Sequence, residues 1–163
     1  VSTQSTGMMN RLKNEARQIM RAAAENEKMG IKIKMVNEDM FHWEIVLSFN
    51  DKESLYYDQV YTVDVTIPQQ YPHEHPKCVF KTKIFHPNIN ADTGKICLNI
   101  INDENCEWTS AMSMQHIALG LQSLVYCPAL DSPLNIDAGK VFRMDDQRVI
   151  RSMIRYYYQQ NKK

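Results

Sequence analysis

Residues Ile31 to Lys81 read IKIKMVNEDMFHWEIVLSFNDKESLYYDQVYTVDVTIPQQYPHEHPKCVFK, and the period of this stretch decides the fold. Ile31, Ile33 and Met35 alternate with Lys32, Lys34 and Val36; His42 to Phe49 follow, and Tyr61, Val63, Val65 and Ile67 then alternate with Thr62, Asp64 and Thr66. A period of two sends successive side chains to opposite faces, which is the pattern of half-buried strands. A fourth run, Lys77 to Lys81, puts Cys78 and Phe80 on one face. Four strands with short connections predict an antiparallel meander with one face packed and the other partly wet. Asn50 to Tyr57 supplies one connection, and Pro68, Pro72 and Pro76 punctuate the approach to the fourth strand, because proline cannot donate to a ladder.

On the N-terminal side the period changes to 3.6. Leu12, Ala16, Ile19 and Ala23 predict one apolar stripe on a helix that runs from Met8 and ends before Gly30. Lys13, Arg17 and Arg21 recur every fourth residue and share a neighbouring face, which by itself reads as a solvated row. Residues 1–7, VSTQSTG, are small and polar and are expected to be a flexible tail or an expression remnant outside the fold. On the C-terminal side, Ile84 to Glu107 has no sustained period, and a stretch of that length inside a compact domain is usually functional or disordered. Helical spacing returns at Met114, Ile117, Leu121, Leu124 and Val125 and stops at Pro128. The turn Asp131-Ser132-Pro133-Leu134 leads to a short helix over Ile136 to Phe142 and a last one over Asp146 to Gln160, with Asp145 or Asp146 as N-cap. The expected architecture is one α+β domain over residues 8–163: helix, four-stranded meander, long loop, then helices.

Composition narrows the function. The chain has 163 residues, 44% hydrophobic and 23% charged, with 19 basic against 19 acidic residues. The balance argues against a nucleic-acid or membrane-surface binder. No apolar run reaches the length of a membrane span, and Cys78, Cys97, Cys106 and Cys127 form no Cys-x-x-Cys pair. Reduced thiols in a cytoplasmic or nuclear protein are the expectation.

The long loop holds His86-Pro87-Asn88, Gly94 and Cys97, and three chemistries compete there. His73, His75, Cys78 and His86 carry the donor types of a zinc site, without a standard spacing. Cys97 with His86 or His116 could make a thiol hydrolase. Cys97 could instead carry an acyl group as a thioester, with the Asn88 amide donating to the oxyanion. Outside any such chemistry, Asn88 is an ordinary turn residue after proline and Cys97 a core thiol. Spacing alone does not choose among these.

The run YPHEHPKCVFKTKIFHPN over Tyr71 to Asn88, then GKICLNI, Trp108 and Asp131-Ser132-Pro133-Leu134, resembles the core of ubiquitin-conjugating enzymes in motif and in order. The resemblance runs from about Leu12 to the end of the chain and implies the same α+β fold. It implies a transferase in which Cys97 receives ubiquitin as a thioester from an activating enzyme and passes it to a substrate lysine or a ligase. Asn88 would stabilise the oxyanion or order the loop beside the cysteine, and His86 would be structural. Asn99 and Ser132 stand where the family often has aspartate, so lysine orientation would fall to Asn99, Asp131 and Ser132. Lys13, Arg17 and Arg21 match the activating-enzyme surface; His73 and the loop Thr109-Ser110-Ala111 match the surface that docks RING-type ligases. Cys78 and Cys127 are expected in the core.

The resemblance implies no metal or organic cofactor, ATP being used upstream. Its partners would be ubiquitin or a related modifier, the activating enzyme, a RING-type ligase and protein substrates, with the enzyme itself a monomer. Several features depart from the pattern: His75-Pro76 replaces the usual Pro-Pro, Phe49-Asn50-Asp51 the usual Gly-Pro turn, and Thr109-Ser110-Ala111 the usual Ser-Pro-Ala, while Asn102 to Glu107 is slightly long. Cys97-Leu98-Asn99 and Gly120-Leu121-Gln122-Ser123-Leu124 are similar to the neddylation enzyme, whereas Asp131-Ser132-Pro133-Leu134-Asn135 with Asp137 and Gly139 is similar to the peroxisome-associated branch. The alternatives are therefore a conjugating enzyme for another modifier and a non-catalytic adaptor on the same fold.

Overall fold

The computed structural model describes residues 3–163. Helix α1, Thr3–Lys28, leads into strands β1, Ile31–Val36, β2, Asp39–Phe49, β3, Gln59–Thr66, and β4, Lys77–Phe80. Helices α2, Met114–Tyr126, α3, Ile136–Arg143, and α4, Gln147–Gln159, follow, with short 3₁₀ turns at Asn99–Ile101 and Gln160–Lys162. The strands lie in the order β1-β2-β3-β4, antiparallel throughout, as the alternation predicts.

Asn37 and Glu38 both have positive φ, 52° and 59°, so β1 and β2 join in a two-residue turn whose twist matches the strands. β2 consequently begins at Asp39, three residues before the expected His42. One face of the sheet buries Ile31, Ile33, Trp43, Ile45, Leu47, Phe49, Tyr61, Val63 and Val65, and α2 contributes Ile117, Ala118, Leu121 and Val125 to the same core. The opposite face is wetter. Glu44 pairs there with Lys34 at 3.1 Å and Lys81 at 2.8 Å, and His42 meets Asp64 at 2.6 Å. Asp146 is the N-cap of α4, its carboxylate accepting from the Arg148 and Val149 amides; Asp145 instead takes the turn position at φ 53°.

Three expectations are corrected. The stretch expected as a tail is helical from Thr3, because Ser, Thr and Gln tolerate helix and propagation from an established helix costs far less than nucleation; Val1 and Ser2 lie outside the described residues. The buried stripe of α1 also does not follow the apolar residues. Ala23 is exposed, while Glu15 and Asn26, each 3% exposed, are buried with Leu12 and Ile19. Both polar groups are tolerated because they are partnered: Asn26 and Gln115 exchange amide hydrogen bonds of 2.9 and 2.7 Å. Finally, Cys127, expected in the core, is exposed at the C-terminal cap of α2, where the helix stops before Pro128. The Cys78 residue is partly exposed, but its thiol is buried and is pushed up to about 12 by that burial and then by Asp64.

Candidate active site

The loop without a period is a pinned hairpin. Ile89 bridges Ile96, the Asn90 amide donates to the Lys95 carbonyl at 2.9 Å, and the Gly94 amide donates to the Asn90 carbonyl at 2.8 Å. Gly94 has φ +74°, and a Cβ there would stand 2.2 Å from the Phe80 carbonyl oxygen. Glycine is therefore required both by conformation and by the approach to β4. The hairpin delivers Cys97, half-buried, with its amide donating to the Asn88 carbonyl at 2.9 Å.

His86 and Asn88 sit beneath it. His86 is fully buried; its Nε2 bonds the Leu124 carbonyl at 2.9 Å and its Nδ1 accepts the Asn88 amide at 3.0 Å. Both ring nitrogens are used, so His86 is the neutral Nε2–H tautomer and has no lone pair free to act as a base. Burial pushes it down to about 4, the bond to the Leu124 carbonyl opposing only in part. The folded value lies below the usual 6.5, so this stability is complete above 6.5 and is lost as pH falls toward 4. The drop from pH 6.5 to about 5 is expected to cost about 2 kcal/mol through this one proton. Urea unfolding across that range should show it for the native chain. His86→Gln, less stable at every pH, should give a flatter profile, and an equal slope in the two proteins would contradict the assignment.

The Asn88 side chain, 2% exposed, is committed to one residue. Its Nδ2 donates to the Ala129 carbonyl at 2.8 Å and its Oδ1 accepts the Ala129 amide at 2.8 Å. Farther along, the Asn135 amide donates to the Pro87 carbonyl at 2.9 Å, and Arg143 donates to the Leu130 carbonyl. Gly139 lets Pro133 close against α3, since a Cβ there would stand 2.6 Å from the proline Cγ. The turn carrying Asp131 and Ser132, both exposed, is thus anchored on each side to the segment that holds Cys97. Asn99, also exposed, starts the 3₁₀ turn just after Cys97, and its Nδ2 reaches Glu107 at 3.4 Å.

The residues expected to dock partners fall into two groups. Lys13, Arg17 and Arg21 are exposed on α1, and among the described residues none is ion-paired; Arg17 bonds only Asn14, at 2.9 Å. His73, Ser110 and Ala111 are exposed on two loops that Trp108 joins, its Nε1 donating to the Pro72 carbonyl at 2.7 Å. Arg11 donates to the Ser110 carbonyl at 2.7 Å and to that of Met112. Reading the sequence missed Arg11 and Glu15 altogether; the Arg-x-x-x-Glu spacing was the available signal, and it reads equally well as a surface pair.

The rival chemistries gain no geometry. His75 is taken up by the Pro76 carbonyl at 2.9 Å and Asp103 at 3.3 Å, and His116 completes the capping box of α2 with Ser113. Among the described residues no three His, Cys, Asp or Glu side chains cluster as metal ligands.

Known proteins match the chain throughout. The model of a family described as ubiquitin-conjugating enzyme matches residues 11–158. The chain is 34% identical over 137 residues to Ubiquitin-conjugating enzyme E2 PEX4 of Gibberella zeae, which covers 83% of this chain and 78% of the relative. It is 34% identical over 127 residues to Protein PEROXIN-4 of Arabidopsis thaliana, covering 77% and 78%. Among solved structures it is similar to the H. polymorpha ubiquitin conjugating enzyme Pex4p in complex with the soluble domain of Pex22p, with a TM-score of 0.82 at 25% identity over 93% of this chain and 96% of that one.

Proposed function

The chain belongs to the ubiquitin-conjugating enzyme family, transferases that work through a cysteine thioester, and on that premise we propose that Cys97 carries the thioester. The Cys97 thiolate attacks the thioester carbonyl of ubiquitin's C-terminal glycine on the activating enzyme; a new C–S bond forms, the old one breaks, and the activating enzyme's cysteine leaves as thiolate. A substrate amine then attacks the same carbon, Cys97 leaves as thiolate, and an amide is formed. Sulfur is exchanged for sulfur in the first step, so the protein's work is placement. The observation that carries the reading is the short chain of bonds from Cys97 through Asn88 to Ala129, which brings the Asp131–Ser132 turn and the cysteine into one rigid unit.

Asp131 and Ser132, with Asn99 two residues beyond the cysteine, orient the incoming lysine. Asn88 acts through the loop it anchors: its Oδ1 and one of its two Nδ2 hydrogens are held by Ala129, and the side chain is almost wholly buried. Activating enzyme docks on Lys13, Arg17 and Arg21, RING-type ligases on His73, Ser110 and Ala111, and the chain uses no cofactor of its own. An adaptor would need neither a half-buried thiol nor the anchored turn beside it. Incubation with activating enzyme, ATP and modifier, read on a non-reducing gel, tests the reading. A DTT-sensitive band shifted by one ubiquitin is expected; no band, or a band with the neddylation modifier alone, would overturn it.

The relatives named for peroxisomes, and the similar structure that holds the soluble domain of Pex22p, support a peroxisome-associated place for this activity, with a Pex22p-like protein as partner. That narrows the earlier expectation of cytoplasm or nucleus. No described helix is long and apolar enough to cross a membrane.

Reversing the charges of Lys13, Arg17 and Arg21 together should slow loading about tenfold at low salt, because attraction to an acidic partner acts mainly on the association rate. All three are exposed, so thermal stability should hold. Added salt should slow the native chain in the same direction. An unchanged loading rate would leave the row a solvated face.

A further inference from the structure

One buried carboxylate in this protein has no part in the chemistry at Cys97 and yet ties α1, the start of α2 and Tyr71 together beside the ligase-docking loops. Glu15 lies on the inward side of α1 and is 3% exposed. Its Oε1 accepts the Met114 amide, the first of α2, at 2.9 Å. Its Oε2 accepts Arg11 Nε at 3.0 Å and also the Tyr71 hydroxyl. Arg11 in turn holds the Ser110 and Met112 carbonyls, and its guanidinium stands 5.8 Å from the centre of the Tyr71 ring. Tyr71 lies 6.1 Å from the Trp108 ring, ring centre to ring centre, and Trp108 returns a hydrogen bond to Pro72.

We propose that Glu15 is a positioning residue for the ligase-docking surface, setting the His73 turn and the Ser110–Ala111 loop at fixed distance from each other and from α1. This rests on the reading of those loops as the ligase surface. The donor count argues for the carboxylate specifically. Three donors, the Arg11 Nε–H, the Tyr71 O–H and the Met114 N–H, converge on two acceptor oxygens, and an ionised carboxylate serves all three. A glutamine of the same shape has one acceptor oxygen and adds two donors. Tyr71 can turn its hydroxyl to accept from the new amide and Met114 can keep the oxygen, but Arg11 has only donors and must let go. Glu15→Gln therefore releases Arg11, and with it the Ser110–Met112 backbone, while the remainder of the network survives. A buried unpaired group is costly, so the loop is expected to move rather than leave the guanidinium facing the amide.

The test measures discharge of the preloaded Cys97 thioester to free lysine, with and without the RING domain that most accelerates the native chain among a panel of them. For Glu15→Gln, loading by the activating enzyme and ligase-free discharge should stay within about twofold of native, because neither uses the loops. The concentration of RING domain giving half-maximal acceleration should rise about tenfold, with the maximal rate recovered at saturation. Amide exchange at Ser110–Met112 should quicken in the free protein, whereas Tyr71→Phe, which keeps the Arg11–Glu15 pair, should give a much smaller change in both readouts. A general loss of stability would instead lower loading, basal discharge and the maximal rate together. Ala111→Asp, measured in parallel, separates the two levels of the argument. If it leaves acceleration intact, or if no RING domain accelerates the native chain, the docking reading fails and takes this inference with it. If it weakens acceleration while Glu15→Gln does not, the docking reading stands and Glu15 has no positioning role.

Discussion

Cys97→Ser is expected to eliminate the DTT-sensitive adduct and to leave in its place an oxyester that survives DTT and yields to alkali. A serine oxygen can accept the same acyl carbon, but its proton is held far more tightly than a thiol's, so loading should be slower and the product less reactive toward amines. Cys97→Ala should give no adduct at all. The three other cysteines set the contrast. The Cys78 thiol is buried and held protonated, while Cys106 and Cys127 are exposed. The Cys106 Sγ is engaged with the Ile100 carbonyl at 3.5 Å and accepts the Trp108 amide at 3.4 Å. Single changes of these three to serine should leave loading largely intact. Loss of loading in Cys106→Ser, with an unchanged band in Cys97→Ser, would reassign the acyl carrier.

Asn88→Ala should separate the two half-reactions. Loading takes place with much of the surroundings supplied by the activating enzyme and should stay near normal. On the proposed reading discharge to lysine relies on this protein's own turn at Asp131 and Ser132, and the change removes both bonds to Ala129 that hold it. Two hydrogen bonds of this side chain-to-backbone kind are worth about 1–3 kcal/mol together, so discharge should fall about tenfold to a hundredfold. If the defect lies in placing and deprotonating the amine, raising the pH of a single-turnover assay should recover part of it. A deficit that reaches a thousandfold and does not change with pH would instead make Asn88 the oxyanion donor, the role of higher expected cost.

What was legible in the sequence was whatever repeats. The meander followed from side-chain alternation because each strand has one buried face, and the last three helices followed from apolar spacing and from Pro128 and Asp146 at their ends. The reading of Cys97 as acyl carrier and of the His-Pro-Asn run beside it came only through resemblance, since in isolation Cys97 is indistinguishable from a core thiol. The buried polar groups were not legible. Glu15 meets Tyr71 across 56 residues and Met114 across 99, and Asn26 meets Gln115 across 89, so no local pattern could mark them as inward-facing. For the same reason apolar spacing alone carries the α1 stripe through Ala23, which is exposed, and past Asn26, which is buried. The loop from Ile84 to Glu107 is ordered by single bridges and by the approach of Gly94 to Phe80, contacts that carry no period.

Non-reducing peptide mapping by mass spectrometry of the loaded protein bears most directly on the central claim. Loaded by activating enzyme, ATP and ubiquitin, then acidified and digested without reductant, the chain should yield one cross-linked species. It should join the C-terminal peptide of ubiquitin to the peptide containing Cys97, with the loss of one water from the sum of the two, and DTT should return the Cys97 peptide as the free thiol and the ubiquitin peptide as its DTT thioester or, after hydrolysis, as the free acid. The same adduct on Cys78, Cys106, Cys127 or a lysine, with the Cys97 peptide recovered free, would contradict it.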